Sequence, residues 1–310
     1  MSTIEAEAAT FGARAKERVA HGHLPDLRRV TPCDWFYNNV WRRPYLVDLE
    51  FGRNFRFAEH YARGQTVLEV GCGVGHMMLE FARHGFAATG IDVAKGSIDV
   101  ARAVAGENPY TEGFGSLRYV VDDFLAWRAP HRFDTICFFG TLHHFDDPGR
   151  ILDRVDRLLA PGGTVVAVEP ARDWLRPADA AIAALVRVLL AAHGAWYEHV
   201  PIPADRAALQ EYVERCFVEL TEARDPGEDP QSPHDNACAA DTMLGALRAR
   251  FDELECRPGL SLFQRLGAGV RAPSEEHARA LAEFLHRFEA LALELALLRP
   301  SEFLWAGRRR

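Results

Sequence analysis

Between residues 66 and 169 the chain alternates short apolar, β-branched runs with segments of helical periodicity. Five strands are predicted, at 66–70, 87–92, 117–122, 133–140 and 163–169. Repeated βα units bring their strands side by side in one parallel sheet, with helices on both faces. The pattern therefore predicts an α/β fold with a Rossmann-like, doubly wound sheet.

The segments that flank this alternation are predicted to be mainly helical. The N-terminal segment is also rich in aromatic side chains, and the C-terminal end reads as two strands, at 251–261 and 301–309, that bracket a long helix. The chain is thus divided into a helical N-terminal lid (1–62), a Rossmann-like core (63–170), a helical insertion over a pocket (171–250) and the final strands of the core with an inserted helix (251–310).

Composition argues against several classes of protein. The formal net charge of -8 disfavours binding to nucleic acid or to anionic membranes, since both select basic surfaces. The six cysteines form no CxxC pair and no Cys/His spacing suited to zinc, so reduced thiols and no metal site are expected. No run approaches the ~18 apolar residues that a membrane span requires. We expect a cytoplasmic protein, and the sequence does not indicate an oligomeric state.

The stretch TVLEVGCGVGH, at 66–76, carries Gly71, Gly73 and Gly75 directly after the first strand and before a helix. Glycines allow the backbone to turn sharply and approach a ligand, while the amides of the helix N-terminus point toward it. A nucleotide-like ligand suits this loop, and a dinucleotide with the GxGxxG pattern is the first rival. Asp92, at the end of the second strand, could accept hydrogen bonds from ribose hydroxyls in either case.

Five motifs in a fixed order distinguish these alternatives: LEVGCGVG, GIDVA, VDDF, FDTICFFGTLHHFDDP and LLAPGGTVVAVEP. Together they resemble the class I S-adenosylmethionine-dependent methyltransferases, and more diffusely the bacterial small-molecule members of that family. The motifs cover about a third of the chain. The resemblance implies a seven-stranded sheet with an antiparallel final strand, S-adenosylmethionine as cofactor and S-adenosylhomocysteine as product.

The resemblance also assigns the residues of the glycine loop. It implies that Glu69, Gly71 and Gly73 line the methionine part of the cofactor. Gly75 completes the cofactor-binding loop, and Cys72 belongs to it as a small residue that fills space.

The residues after the second and third strands would bind the nucleoside. The resemblance implies that Asp92 holds the ribose and that Val93, which follows it, packs on the adenine ring. Asp123 with Phe124 would contact the adenine.

The fourth strand ends in GTLHHFDDP and so delivers His143 and His144 to the edge of the sheet where ligands bind. A neutral imidazole can remove a proton from an acceptor hydroxyl, so we predict that one of these histidines is the catalytic base. Packing beside the cofactor is the alternative. Asp146, Asp147 and Glu169 could add metal ligands, but helix capping and a strand end explain them better, so no metal is predicted.

Substrate contacts are predicted from the lid segments, at Tyr37, Trp196, Tyr197 and His199, each of which could instead be structural. The chain lacks the motifs that DNA methyltransferases of this superfamily carry after the fourth strand. We predict that the protein transfers a methyl group to a small metabolite in natural-product biosynthesis. The predicted acceptor atom is oxygen. Open alternatives are transfer to nitrogen or carbon, a protein or tRNA substrate, an inactive cofactor-binding regulator and, as the weakest rival, a nicotinamide oxidoreductase.

Overall fold

The structure is a computed structural model that describes residues 3–31, 33, 39–222 and 238–310. Seven strands form one sheet in the order β3-β2-β1-β4-β5-β7-β6. Their bounds are Thr66–Val70 (β1), Ala87–Asp92 (β2), Ser116–Val121 (β3), Phe133–Phe139 (β4), Leu159–Pro170 (β5), Phe251–Pro258 (β6) and Glu302–Arg309 (β7).

The direction of the strands follows from how they are connected. β1 to β5 pair in parallel, whereas β7 inserts antiparallel between β5 and β6. The register of β5 with β7 places Glu302 beside Pro170, so β7 begins where β5 ends. The predicted fold class, a doubly wound seven-stranded sheet with an antiparallel final strand, is confirmed.

Helices cover both faces of the sheet. The described helices are Thr3–Ala20 (α1), Pro44–Val47 (α2), Arg53–Tyr61 (α3), His76–Arg83 (α4), Lys95–Gly106 (α5), Pro148–Leu158 (α6), Pro177–Ala192 (α7), Arg206–Thr221 (α8), Ala240–Arg250 (α9), Phe263–Leu266 (α10) and Glu275–Glu294 (α11). Alternate strand residues enter different clusters: Val67 packs with α3, α4 and α5, and Leu68 packs with α6 and α9. Within the described part of the chain, no helix has both the length and the apolar character needed to cross a membrane.

The N-terminal helix packs on α5 through a close backbone contact. A Cβ added to Gly96 would lie 2.7 Å from the Cα of Gly12, so glycine at both positions permits the approach. Ala15 of α1 is buried with Val100 and Val104 of α5. This contact holds α1 beside the carboxyl edge of the parallel strands.

The helical insertion divides between two layers. α7 and α8 pack together in a cluster that includes Trp196, Leu266 and Ala292, above the sheet edge. α9, by contrast, buries Met243 and Leu247 in the core against α6 and the sheet. Only part of the 171–250 segment therefore lies outside the core, because the apolar face of α9 covers strands that α6 alone leaves open.

Candidate functional site

A cavity of about 730 Å³ lies at the carboxyl edge of the parallel strands. This is the edge at which ligands bind in open α/β sheets, and the volume is in the range of small-molecule sites. The glycine loop and the ends of β2 and β3 form one end, and the residues after β4 form the middle. α1 contributes one wall, with Glu7, Phe11 and Arg14 among its lining residues.

The glycine loop has the backbone geometry that its sequence predicts. Gly71, Gly73 and Gly75 have φ angles of +69°, +51° and +74°, a region that side chains with a Cβ rarely occupy. Gly75 is the N-cap of α4, and a Cβ on Gly71 would collide with the side chain of Thr141. The loop therefore presents bare backbone to the cavity.

Asp92 fixes this loop from the end of β2. Its Oδ2 accepts a hydrogen bond from the backbone N–H of Gly73 at 2.8 Å, and its Oδ1 accepts one from Ala94 at 2.7 Å. Burial raises the pKa of the Asp92 carboxyl above its ordinary value, while the two backbone donors act in the opposite direction. Each oxygen can accept a further hydrogen bond, so hydroxyl donors in the cavity can still bind Asp92.

Glu69 supplies a buried carboxyl group with an unused acceptor. The residue is 3% exposed, and its Oε2 has no hydrogen-bond partner among the described residues. Burial, with a smaller contribution from Asp92, raises the pKa of Glu69 well above its ordinary value. A buried polar atom without a partner is costly, so a ligand that donates a hydrogen bond here would relieve that cost.

The loop after β3 forms the far wall of this end. Asp123 and Phe124 line the cavity together with Val93, so the three residues predicted to bind the nucleoside lie in one place. Asp123 accepts a hydrogen bond from the N–H of Leu125 at 2.9 Å, which fixes the turn. Phe124 is buried, so its ring forms a rigid apolar surface.

Cys72 is buried between the loop and β2. A Cβ on Gly90 would approach its Sγ to 2.6 Å, so the thiol occupies the space that the missing side chain leaves. Burial raises the pKa of the thiol well above its ordinary value, which keeps it protonated. This geometry agrees with the interpretation of Cys72 as a small residue that fills space.

His143 is held rigidly at the end of β4. Its Nδ1 lies 2.9 Å from Oε2 of Glu169, and the same carboxylate accepts hydrogen bonds from the N–H groups of Thr141, Leu142 and His143. Because a carboxylate can only accept, the Nδ1 of His143 carries the proton and Nε2 is the basic nitrogen. The residue is 5% exposed, and it lines the cavity.

His144 faces the N-terminal helix. Its Nδ1 lies 3.1 Å from Oε1 of Glu7, and its ring packs edge-on against Phe11. Its centroid is 4.1 Å from that of His143, so both imidazoles lie in the cavity wall. Asp147 caps α6 by accepting from the N–H of Arg150, as its position predicts.

The predicted substrate residues do not gather at this cavity. Trp196 is buried in the cluster of α7 and α8, where its ring packs against Gly269 and Tyr197. His199 is exposed, and none of Trp196, Tyr197 and His199 is among the residues that line the cavity. Tyr37 lies outside the described residues. Substrate contact by these four side chains remains a prediction.

Several residues that line the cavity could not be recognised from the sequence. Glu7 lies on an amphipathic helix, Glu50 in an irregular turn, and Gln264 and Arg265 in a short helix near the C-terminus. Each stands in a segment without a recognisable motif. Glu169 did stand out by position, but its contact with His143 depends on the pairing of β4 with β5.

The residues at the β1–β3 end fit the parts of S-adenosylmethionine. The unpartnered Oε2 of Glu69 can accept from the amino group of its methionine part, and the remaining acceptor positions of Asp92 suit ribose hydroxyls. Val93 and Phe124 offer apolar surface for the adenine. Among the described residues no group of three or more His, Cys, Asp or Glu side chains could hold a metal ion.

Comparisons with known proteins agree with this arrangement. A family model described as "Methyltransferase domain" matches residues 47–223, more than half of the chain. The chain is 32% identical over 149 residues to a ubiquinone biosynthesis O-methyltransferase of Psychrobacter cryohalolentis, a match covering 47% of this chain and 55% of that protein. It is 38% identical over 105 residues to the protein of that name from Paracidovorax citrulli, covering 33% and 42%. The chain thus spans about half the length of the curated relatives that it matches.

A solved structure shows the same fold over the whole chain. The [4+2]-cyclase SpnF superposes with a TM-score of 0.52 at 16% sequence identity, covering 100% of this chain and 96% of that one. Identity at this level shows the fold alone. The match to the family model, with the glycine loop and the seven-stranded sheet, shows that the chain belongs to the class I S-adenosylmethionine-dependent methyltransferase family.

Proposed function

We propose that the protein transfers the methyl group of S-adenosylmethionine to a hydroxyl oxygen of a small metabolite, as a step of natural-product biosynthesis. The observation that carries the proposal is the position of His143, which Glu169 holds in the same cavity as the cofactor residues. The curated relatives are ubiquinone biosynthesis O-methyltransferases, and their O-methylation supports oxygen as the acceptor atom.

The chain contributes alignment and proton removal. When bound, S-adenosylmethionine supplies an electrophilic methyl group on a sulfonium. His143 accepts the acceptor hydroxyl's proton at Nε2, while Nδ1 keeps its proton toward Glu169. The carboxylate of Glu169 then faces an imidazolium and stabilises it. α1 and the residues near α10 line the cavity, and with substrate bound they would limit the access of water to the reacting groups.

The experiment is to incubate the purified protein with methyl-deuterated S-adenosylmethionine and a metabolite extract of the source cells. Mass spectrometry then searches for compounds that gain the labelled methyl group. The proposal expects a labelled small molecule whose acceptor atom is oxygen. Label on protein or RNA alone, or cofactor binding without transfer to any molecule, would contradict it and favour a macromolecular substrate or a regulatory role.

A further inference from the structure

The cavity extends beyond His143 to the place where β5 ends and β7 begins. Glu50 lies at this far end, in the π-helical turn Asp48–Gly52 that joins α2 to α3. Single π-helical turns occur frequently at functional sites, where an added residue redirects a side chain. The turn brings the carboxyl group of Glu50 to the cavity wall.

One oxygen of this carboxyl group is unused. Oε1 of Glu50 accepts a hydrogen bond from Nε2 of Gln264 at 2.8 Å, whereas Oε2 is buried and has no hydrogen-bond partner among the described residues. The residue is only 6% exposed. Since buried polar atoms in native proteins are almost always paired, this oxygen points to a missing donor.

The neighbouring charged groups already have partners. The carboxylate of Glu302 binds the guanidinium of Arg53 and also accepts from Leu260 N–H. Arg265 and Arg172 both pair with Glu222. Among the residues that the structure describes, Glu50 forms no ion pair, and Arg53 and Arg265 act on its carboxyl group only through longer-range attraction.

The electrostatic environment favours a cationic ligand. The described residues that line the cavity include eight carboxyl side chains and four arginines. Burial, and then repulsion by Glu302, raises the pKa of Glu50 to about 8. A bound ammonium group would offset both effects, because it supplies hydrogen-bond donors and a compensating charge.

We propose that the far end of the cavity binds the basic amine of a small substrate, whose ammonium group donates to Oε2 of Glu50. The substrate then reaches back along the sheet edge from β7 toward β4. Its methyl-accepting group lies beside His143, an arrangement that rests on the proposed function. Amine binding itself does not depend on turnover.

Calorimetric titration tests this with tyramine and tyrosol, which differ only in an amino and a hydroxyl group. Both are titrated into protein loaded with S-adenosylhomocysteine. We expect tyramine to bind about tenfold more tightly than tyrosol, the advantage of a charge-assisted hydrogen bond. Glu50→Gln keeps the size of the side chain and should abolish the preference. Glu283→Gln removes a half-buried carboxylate on α11 that pairs with Arg279, and it should preserve the preference.

The affinity for S-adenosylhomocysteine, measured in the same titrations, controls for folding of each variant. Equal affinity of the two probes for the wild type would overturn the proposal, as would undetectable tyramine binding at millimolar concentration. A preference that survives Glu50→Gln would also overturn it. If the deuterium-labelling experiment finds no methyl transfer but these titrations give the expected pattern, the proposed function fails and the amine site stands.

Discussion

The two ends of the cavity are built differently. The end that we propose for the cofactor (the cofactor end) is lined from three strand ends within residues 69–124. The end that we propose for the methyl acceptor (the acceptor end) draws on α1, the π-helical turn and residues near α10. Backbone and small residues dominate the first end. Long charged side chains from separate parts of the chain dominate the second. Under the proposed function, the difference teaches that a site for a constant cofactor is encoded locally, whereas a site for the acceptor is encoded by tertiary packing.

The largest expected effect separates chemistry from cofactor binding. We predict that His143→Ala lowers turnover by ~10²-fold or more, because the base is lost, without changing the affinity for S-adenosylmethionine. Steady-state kinetics and calorimetry measure the two quantities. His144→Ala is the matched variant, because His144 faces Glu7 instead of Glu169. This substitution should lower turnover less than His143→Ala does. Wild-type turnover in the His143 variant would mean that alignment alone suffices.

The second prediction concerns backbone strain at the cofactor end. Gly71→Ala should lower the free energy of unfolding by roughly 2–4 kcal/mol, because its Cβ meets Thr141 and its φ is positive. Gly73→Ala has a positive φ but open space around its Cβ, so it should cost only about 1–2 kcal/mol. Chemical denaturation measures the free energy of unfolding of the two variants and of the wild type. Equal losses would show that the contact with Thr141 has no effect.

The third prediction tests the ribose contact. Asp92→Ala should weaken S-adenosylmethionine binding by ~1–3 kcal/mol, because charge-assisted hydrogen bonds are lost and the N–H of Gly73 loses its acceptor. Asp92→Asn keeps one acceptor oxygen and should weaken binding less. Calorimetry measures the affinity of each variant for S-adenosylmethionine. Unchanged affinity in the alanine variant would show that Asp92 does not contact the cofactor.

The fourth prediction concerns a pH dependence of folding stability at the acceptor end. The pKa of Glu50 is raised to about 8 in the folded protein, above its ordinary 4.5. Folding stability is therefore lost as pH rises from about 4.5 toward 8, because the folded state must give up a proton that it holds more tightly. Glu50→Gln should avoid this loss and be more stable than the wild type at pH 9.

Thermal unfolding of the wild type and Glu50→Gln at pH 5 and pH 9 measures this difference. The advantage of the variant should be small at pH 5 and grow at pH 9. A constant difference across the pH range would show that the carboxyl group ionises normally in the folded protein.

The strands and the glycine loop at the cofactor end could be predicted from the sequence, because their determinants are local. β1 and β2 have the predicted bounds, and the glycines of the loop have the positive φ angles that their spacing suggests. The role of Asp92 in fixing the loop was not foreseen. It depends on Gly73 folding back over the end of β2.

The contacts at the acceptor end could not be predicted from the sequence, for a physical reason. His143 was found because it follows a strand, but its partner Glu169 comes from the neighbouring strand. Trp196 was chosen as an aromatic residue in an apolar segment, and such residues usually pack, as it does against Gly269. Glu50 and Gln264 are 214 residues apart, so no local pattern could join them.

The most direct measurement is a crystal structure of the protein with S-adenosylhomocysteine. We predict that its amino group lies within hydrogen-bond distance of Oε2 of Glu69 and its ribose hydroxyls on Asp92. Its adenine should lie beside Val93 and Phe124, with open space from the sulfur to Glu50. A ribose away from Asp92, or a cofactor that extends to Glu50, would contradict the division of the cavity into a cofactor end and an acceptor end.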